Sequence, residues 1–271
     1  MLICLVARLE LNLRGKVALI TASTKGIGFG VAKVLSEEGA HIIITSRNKE
    51  NVDRAVSTLR EISNSEVVGI TADLRSRADV KNLVKQALDV FGRIDIMVYN
   101  TGPPKLGTFM ELSFEDWEEA VRLLLLSAVW LTRLVVPVMI ERGWGRLIYI
   151  TSSTLKQILP NIVLSNTVRL SIAGLVKSLA MELGSKGITA NGIMQGHIQT
   201  ERAIKIAEDM AARNRISVDE ALKIMARDIP LGRLGKPEEI GYLAAFLASD
   251  KAAYINGAMI LIDGGYVRAI L

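Results

Sequence analysis

One turn near the start of the chain carries residues that could bind an anion. It comprises Thr21, Ala22, Ser23, Thr24, Lys25, Gly26, Ile27 and Gly28. An apolar run, Val17–Ile20, precedes the turn, and a helical pattern follows over about 27–38. Glycine permits close backbone approach, and the free N–H groups and positive dipole end at a helix start attract anions. We therefore predict a phosphate-binding turn; an ordinary tight turn is the alternative.

The next apolar run, His41–Thr45, begins after Gly39, a plausible helix C-cap, so the unit is βαβ. In a dinucleotide-binding unit, the residue about 20 positions after the glycines contacts a ribose hydroxyl or a 2′-phosphate. Arg47 lies there, with no carboxylate before Glu50, and Lys25 lies in the turn. Because cations form charge-assisted hydrogen bonds with phosphate, we predict NADP(H) rather than NAD(H). The alternative is that both cations are solvated surface charges.

Strands and helices alternate along the whole chain. Expected strands are Val17–Ile20, His41–Thr45, Val67–Thr71, Ile94–Tyr99, Arg146–Thr151, Ile188–Met194 and Met259–Ile262. Expected helices cover 27–38, 49–62, 76–91, 163–183 and 237–248, with one or two apolar helices over 114–139 and a polar, helix-rich excursion over 198–227. Such alternation predicts an α/β fold: a Rossmann-type, doubly wound, parallel seven-stranded sheet with helices on both faces. We expect one domain over 1–271, with 1–8 as an appendage and 198–230 as a substrate lid.

Composition limits the function classes. The net charge of +5 is mild and the cations are scattered, which argues against a nucleic-acid partner. The single cysteine, Cys4, excludes an internal disulfide and a multi-cysteine metal site, so we expect no metal and a cytoplasmic protein. The apolar segment Leu123–Ile140 is interrupted by polar residues and proline, so we expect a buried helix and no membrane span.

Several motifs together resemble the short-chain dehydrogenase/reductase family, including its 3-oxoacyl-ACP reductase-like and carbonyl reductase-like members. The turn resembles T-G-x-x-x-G-x-G with Ala22 in place of the first glycine, and Tyr99–Gly102 resembles N-N-A-G. Asn191–Thr200 resembles N-x-x-x-P-G-x-I-x-T, with Gln195 replacing proline. Segments 230–233 and 263–265 resemble the C-terminal signatures. The match covers nearly all of the chain.

The resemblance implies a set of cofactor contacts. They are Thr21, Ser23, Thr24, Lys25, Gly26, Ile27, Gly28, Arg47, Asn48, Asp73, Leu74, Asn100, Gly102, Arg169, Ile198 and Thr200. Within this set Asp73, which follows the third strand, is expected to accept a hydrogen bond from the adenine amino group. Capping the next helix is an alternative role that does not exclude the first.

The catalytic residues depart from the family pattern. Ser152 corresponds to the carbonyl-polarising serine, but the family's Y-x-x-x-K falls on Ser165 and Arg169, and its asparagine falls on Leu124. Serine is a much weaker acid than tyrosine, and arginine does not release its proton at neutral pH. The expected catalytic residues are therefore Ser152, Ser165 and Arg169, without the usual proton donor.

Two functions remain open at this point. The first is an NADP(H)-dependent oxidoreductase that interconverts a carbonyl and an alcohol, with water or His197 handling the proton. The second is a catalytically silent NADP(H)-binding protein that acts as a sensor or partner subunit. Lys156 and Gln157 are candidate contacts for a small-molecule substrate. The family resemblance also implies a homo-oligomer, a homotetramer or a homodimer.

Overall fold

The computed structural model describes residues 10–270. The expected appendage at residues 1–8 and the lone cysteine, Cys4, lie outside this range. The strands are β1 (Val17–Ile20), β2 (His41–Ser46), β3 (Val67–Thr71), β4 (Ile96–Tyr99), β5 (Gly145–Ile150), β6 (Ile188–Gln195) and β7 (Met259–Ile262). The predicted strands are confirmed to within two residues at each end.

All seven strands form one parallel sheet in the order β3-β2-β1-β4-β5-β6-β7. The order reverses between β1 and β4: Ile20 is aligned with Ile44 of β2 on one side and with Val98 of β4 on the other. Above this switch point, at the carboxyl ends of the strands, the connecting loops diverge and leave a crevice for ligands. The predicted doubly wound fold is confirmed.

The helices lie on both faces of the sheet. They are α1 (Gly26–Glu37), α2 (Lys49–Ile62), α3 (Arg77–Phe91), α4 (Phe114–Val121), α5 (Ser127–Arg142), α6 (Val163–Val168), α7 (Leu170–Leu183), α8 (Glu201–Asn214), α9 (Val218–Met225) and α10 (Pro237–Ala248). One hydrophobic cluster joins α1, α2 and α10 to the sheet, and another joins α3, α5 and α7 to its other face. These two clusters form the core.

Two predicted helices are interrupted. The expected helix over 163–183 divides at Arg169 into α6 and α7, although Arg169 keeps helical angles and its N–H still bonds the Ser165 carbonyl at 3.3 Å. Over 114–139, where one or two helices are expected, α4 and α5 are joined by a π-helical segment, Arg122–Leu126. Periodicity does not distinguish a π segment from α-helix, because apolar residues continue through it.

The continuous segment formed by α4, the π segment and α5 is long and apolar. It spans 29 residues and contains an 18-residue stretch with a mean hydropathy of 2.2, enough by length and composition alone to cross a membrane. Ala128, Leu131 and Val135 of α5 are nevertheless fully buried in the core on the sheet. The apolar residues of this face therefore serve packing within the domain.

A buried carboxylate ties β1 to β4. Asp95 is 1% exposed; one carboxylate oxygen accepts the Val17 N–H at 2.8 Å, and the other accepts from Arg93 at 2.6 Å. We predict that Asp95→Ala lowers the free energy of unfolding by about 3 kcal/mol, because it leaves the guanidinium and the N–H without their acceptor. Urea denaturation measures the change.

The matched control is Asp89→Ala, which removes an exposed carboxylate paired with Lys85 on α3. Such a pair contributes about 0.5 kcal/mol or less. Equal losses for the two variants would show that the buried carboxylate does not anchor β1.

Candidate active site

Two side-chain hydroxyls within the turn after β1 fix its conformation. Thr21 Oγ1 donates to the Asn100 carbonyl at 2.7 Å and accepts the Asn100 N–H at 2.8 Å. Ser23 Oγ donates to the Ile20 carbonyl and accepts the Thr45 N–H. Both residues are completely buried, and their N–H groups also bond within the sheet region. The hydroxyls of Thr21 and Ser23 therefore shape the turn, and a cofactor contact from these two residues stays a prediction.

Ala22 shows why the family motif has glycine at this point. Its φ is +47°, in the left-handed region that an L-residue enters at a cost. The Ala22 carbonyl accepts a hydrogen bond from Asn100 Nδ2 at 3.1 Å, which helps to hold this conformation. Asn100, predicted to touch cofactor, is thus mainly a brace between the end of β4 and the turn.

The start of α1 has free hydrogen-bond donors. The residue before the helix, Lys25, is extended and provides no side-chain cap. Among residues 10–270, no acceptor is found for the N–H groups of Gly26, Ile27 or Gly28, and no acidic side chain lies in the first turn. A helix start of this kind is suited to bind a phosphate, because its N–H groups and its dipole both attract negative charge.

Gly28 has no space for a side chain. A Cβ there would lie 2.5 Å from the Ala22 carbonyl oxygen, 2.8 Å from Ser23 Cα and 2.9 Å from Asn100 Nδ2. At Gly26 a Cβ would lie 3.2 Å from the Thr200 methyl carbon, so the loop after β6 covers the turn. The turn, the free N–H groups and the covering loop fit a dinucleotide pyrophosphate.

The end of β2 presents a cation. Arg47 is exposed, and within residues 10–270 no carboxylate lies within 4.0 Å of it. Asn48 does not share this role: its side chain accepts the Asn51 N–H at 2.8 Å and caps α2. Lys25 and Thr24 remain accessible in the turn. The two cations could therefore reach a phosphate, while the prediction of a side-chain contact from Asn48 competes with its capping bond.

Asp73 has a partner that the sequence did not suggest. Its carboxylate pairs with Arg75 at 2.7 Å, and Arg75 also pairs with Glu119 at 2.7 Å. Hydrogen bonds from Arg75 lower the pKa of Asp73. The cap of α3 is Ser76, so the alternative capping role for Asp73 is wrong. The neighbouring Leu74 turns its side chain into the core and leaves only backbone for a ligand.

The loop after β6 approaches the turn. Ile198 is bridged to Gly235, with the Gln199 N–H donating to the Gly235 carbonyl at 2.7 Å. Thr200 caps α8 through its hydroxyl, which accepts the Ala203 N–H at 3.4 Å. Across the crevice Gly102 is exposed, with no atom near its Cα that a side chain would meet. The cofactor contacts expected from Ile198, Thr200 and Gly102 stay predictions.

The three predicted catalytic residues lie on neighbouring elements. Ser152 lies two residues after β5, and its hydroxyl accepts the Thr154 N–H at 3.2 Å in the turn that α6 contacts. Ser165 and Arg169 are one helical turn apart. Arg169 Nη2 reaches Thr101 Oγ1, next to Asn100, at 3.5 Å. The guanidinium therefore lies between α6 and the end of β4, next to Asn100, which braces the turn after β1.

The hydroxyl of Tyr99 is engaged inside the core. Tyr99 is 1% exposed, and its hydroxyl contacts Ser127 Oγ at 2.7 Å and the Leu123 and Leu124 carbonyls at 2.8 and 3.2 Å. Burial raises the pKa of Tyr99 well above its ordinary value. The Tyr99 hydroxyl thus hydrogen-bonds carbonyls that lose their α-helical partners in the π segment.

His197 packs away from the predicted catalytic residues. Its ring meets Tyr266 edge-on, with centroids 4.7 Å apart, and lines a small cavity with Asp263, Arg233 and Glu239. No hydrogen bond joins it to Ser152, Ser165 or Arg169. Burial lowers the pKa of His197, against the opposing effect of nearby Asp228 and Asp263. The lowered pKa favours the neutral form of the His197 imidazole at neutral pH.

Comparison with known proteins identifies the family. The family described as Enoyl-(Acyl carrier protein) reductase matches residues 21–267. Dehydrogenase/reductase SDR family member 4 of Caenorhabditis elegans is 36% identical over 252 residues, which is 93% of this chain and 95% of the relative. The chain belongs to the short-chain dehydrogenase/reductase family. Family membership confirms the resemblance seen in the motifs and supports the expectation that the chain is an oxidoreductase.

The chain is also similar to other oxidoreductases and to solved structures of reductases. The oxidoreductase UcpA of Salmonella typhimurium is 37% identical over 94% of this chain and 95% of the relative. Among solved structures, L-sorbose reductase from Gluconobacter frateurii, complexed with NADPH and L-sorbose, has a TM-score of 0.93 and 32% identity over 96% of this chain and 100% of that one. An actinorhodin polyketide ketoreductase variant with NADPH has a TM-score of 0.87 and 30% identity, covering 94% and 98%.

The tight contacts at Gly28 generate a prediction for this short-chain dehydrogenase/reductase. Gly28→Ala should weaken NADPH binding roughly tenfold or more, because the added methyl must displace the Ala22 carbonyl or Asn100 and so disorganise the donors. NADPH fluorescence titration measures the dissociation constant. The matched control is Gly174→Ala on α7, where a Cβ meets nothing within 4 Å. Unchanged NADPH affinity in Gly28→Ala would contradict the assigned role of the turn.

Proposed function

We propose that this protein is an NADP(H)-dependent oxidoreductase that interconverts a carbonyl and an alcohol in a small-molecule substrate, using a remodelled catalytic site. The observation that carries the proposal is the set of free N–H groups at Gly26, Ile27 and Gly28, with the unpaired cation Arg47 at the end of the next strand. The NADPH present in both structural relatives described above supports the choice of cofactor.

NADP(H) supplies or accepts the hydride, and the chain provides the polar groups around the reacting carbonyl. The Ser152 hydroxyl donates a hydrogen bond to the carbonyl oxygen. Arg169 stabilises negative charge that develops on this oxygen, as preorganised donors do in a site shielded from water. Since arginine does not deprotonate and a serine hydroxyl is a weak acid, water delivers the proton. Ser165 leaves space near this oxygen that a tyrosine ring would fill.

The second hypothesis, an NADP(H)-binding protein without turnover, is favoured by the joint replacement at Ser165, Arg169 and Leu124. A hydride-transfer screen with ketones, sugars, steroids and acyl thioesters discriminates between the two. Saturable NADPH binding without turnover by the wild type, together with turnover gained in Ser165→Tyr/Arg169→Lys, would reject the oxidoreductase proposal in favour of the silent protein.

The proposal also includes the surroundings of the site. We expect the 198–230 segment, which contains α8 and α9, to act as a substrate lid over the crevice.

We expect a homotetramer or homodimer, because α7 exposes Leu170 and Met181, which are 54% and 80% accessible. Light scattering of the purified protein distinguishes these states from a monomer.

Cofactor selectivity depends on Arg47. We predict that Arg47→Ala raises the dissociation constant of NADPH by about 10- to 100-fold, the loss expected for one charge-assisted hydrogen bond, and leaves that of NADH nearly unchanged. Arg54→Ala, which removes an exposed arginine on α2, should leave both constants unchanged. Wild-type protein that binds NADH more tightly than NADPH would contradict the selectivity.

The catalytic role of Ser152 has a matched control within the chain. Ser152→Ala should lower kcat/KM by roughly 100-fold or more, the loss typical for one donor to a developing oxyanion, with NADPH affinity unchanged. Ser249 forms the same cap on the turn 250–252, where its hydroxyl accepts the Lys251 N–H at 3.2 Å. Ser249→Ala therefore controls for loss of the cap. Equal effects of the two substitutions on kcat/KM would refute the catalytic role.

A further inference from the structure

Two departures from the family pattern meet in the core. Tyr99 stands at the first position of the segment that resembles N-N-A-G, and Leu124 stands where the family pattern has asparagine. The Tyr99 hydroxyl lies 3.2 Å from the Leu124 carbonyl oxygen and 2.8 Å from that of Leu123. It also contacts Ser127 Oγ at 2.7 Å. A side chain from β4 therefore reaches the main chain of the helix at the position of the missing asparagine.

The carbonyls that Tyr99 approaches belong to the π segment, Arg122–Leu126. Hydrogen bonding there spans five residues, as in the bond from the Ser127 N–H to the Arg122 carbonyl. Such a segment departs from the regular α-helical ladder, and buried main-chain groups that lose a partner destabilise the fold unless another group replaces it. Burial raises the pKa of Tyr99, against the opposing effects of Ser127 and of the Arg169 charge. The phenol therefore stays protonated at neutral pH and can donate its hydrogen to the segment.

The π segment packs against the helix that carries two of the expected catalytic residues. Leu124 is 1% exposed, and one hydrophobic cluster contains it together with Leu164 and Val168 of α6. Leu164 directly precedes Ser165, and Val168 directly precedes Arg169. Because buried side chains are close-packed, a displacement of Leu124 displaces these neighbours as well. The place of the π segment thus determines the place of both catalytic side chains.

We propose that Tyr99 is a positioning residue for the catalytic site: its hydroxyl fixes the π segment, and the π segment places Ser165 and Arg169 at the crevice. The inference rests on the proposed function for the chemistry at these two residues, and it adds a residue that lies in the core. Leu124 has no polar side chain, unlike the asparagine of the family pattern. Its contribution to the site is its carbonyl, which Tyr99 holds, and its packing on α6.

Tyr149 provides a matched control on the neighbouring strand. It is aligned with Tyr99 in the sheet, the two ring centroids are 5.9 Å apart, and Tyr149 is likewise buried. Its hydroxyl contacts Thr132 Oγ1 at 2.7 Å, and Thr132 donates in turn to the Ala128 carbonyl within α5. Tyr149→Phe therefore removes the same group from the same face of the sheet and leaves the contacts to the π segment in place.

Amide hydrogen exchange of the full chain, read by mass spectrometry, tests the positioning. In Tyr99→Phe we expect the amides of the π segment and of α6 to exchange about five- to tenfold faster than in the wild type, the factor that loss of one hydrogen bond gives. Tyr149→Phe should change their exchange by less than about twofold, although its melting temperature falls by a similar amount. Unchanged exchange of α6 in Tyr99→Phe, or equal acceleration in both variants, would overturn the proposal.

A second variant approaches the same cluster from the helix. Ser127 Oγ donates to the Leu123 carbonyl at 2.6 Å and contacts the Tyr99 hydroxyl. Ser127→Ala should therefore accelerate exchange in the π segment and in α6, as Tyr99→Phe does. Slow, wild-type exchange of α6 in Ser127→Ala would contradict the proposed connection, whether or not Tyr99→Phe folds.

Kinetics distinguish positioning from a general loss of stability. The probe is the ketone of the hydride-transfer screen that NADPH reduces fastest. Tyr99→Phe should lower kcat roughly tenfold and leave KM within about twofold, because misplaced polar groups lose contacts made mainly in the transition state. Tyr149→Phe should leave kcat and KM unchanged. Equal losses of kcat in the two variants, or a raised KM with kcat unchanged in Tyr99→Phe, would refute the positioning role.

The outcomes separate this inference from the proposed function. Faster exchange of α6 in Tyr99→Phe, in a protein that turns over no carbonyl, would reject the oxidoreductase and retain Tyr99 as the residue that places Ser165 and Arg169. Carbonyl turnover by a protein in which Tyr99→Phe changes neither α6 exchange nor kcat would reject the positioning role and leave the oxidoreductase proposal standing.

Discussion

The reciprocal hydrogen bond between Thr21 and Asn100 is the constraint on which the site depends. It joins the carboxyl ends of β1 and β4 at the point where the strand order reverses. With this link in place, Asn100 can also hold the Ala22 carbonyl, and Ala22 can keep its left-handed conformation. The start of α1 then points its free N–H groups into the crevice. The position of the free N–H groups at the start of α1 therefore depends on the hydrogen bonds that join β1 to β4.

The residues at the end of β4 also support the catalytic part of the crevice. Thr101 follows Asn100 and is the residue that Arg169 contacts. Tyr99 precedes Asn100 and bonds the carbonyls of the π segment. Three consecutive residues at the end of β4 thus support the turn, the guanidinium and the irregular helix. A site arranged in this way can hold charge firmly while lacking a group that releases a proton.

Much of the fold could be predicted because it rests on local patterns. Short apolar runs gave the strands to within two residues, and Gly26 and Gly28 marked the start of α1. Pairings between distant residues could not be predicted. The burial of Thr21 and Ser23, the ion pair of Asp73 with Arg75 and the packing of His197 on Tyr266 depend on side-chain contacts that one sequence does not specify. Asn48 is different: its position before α2 was a capping signal that the sequence contained.

The central claim is that the Gly26–Gly28 corner binds the pyrophosphate of NADP(H), with Lys25 and Arg47 at the additional phosphate. A crystal structure of the protein grown with NADPH tests it most directly. We expect the pyrophosphate within hydrogen-bonding distance of the free N–H groups, with the 2′-phosphate next to Arg47. NADPH bound elsewhere, or an empty corner at saturating NADPH, would contradict the account of cofactor, crevice and reaction together.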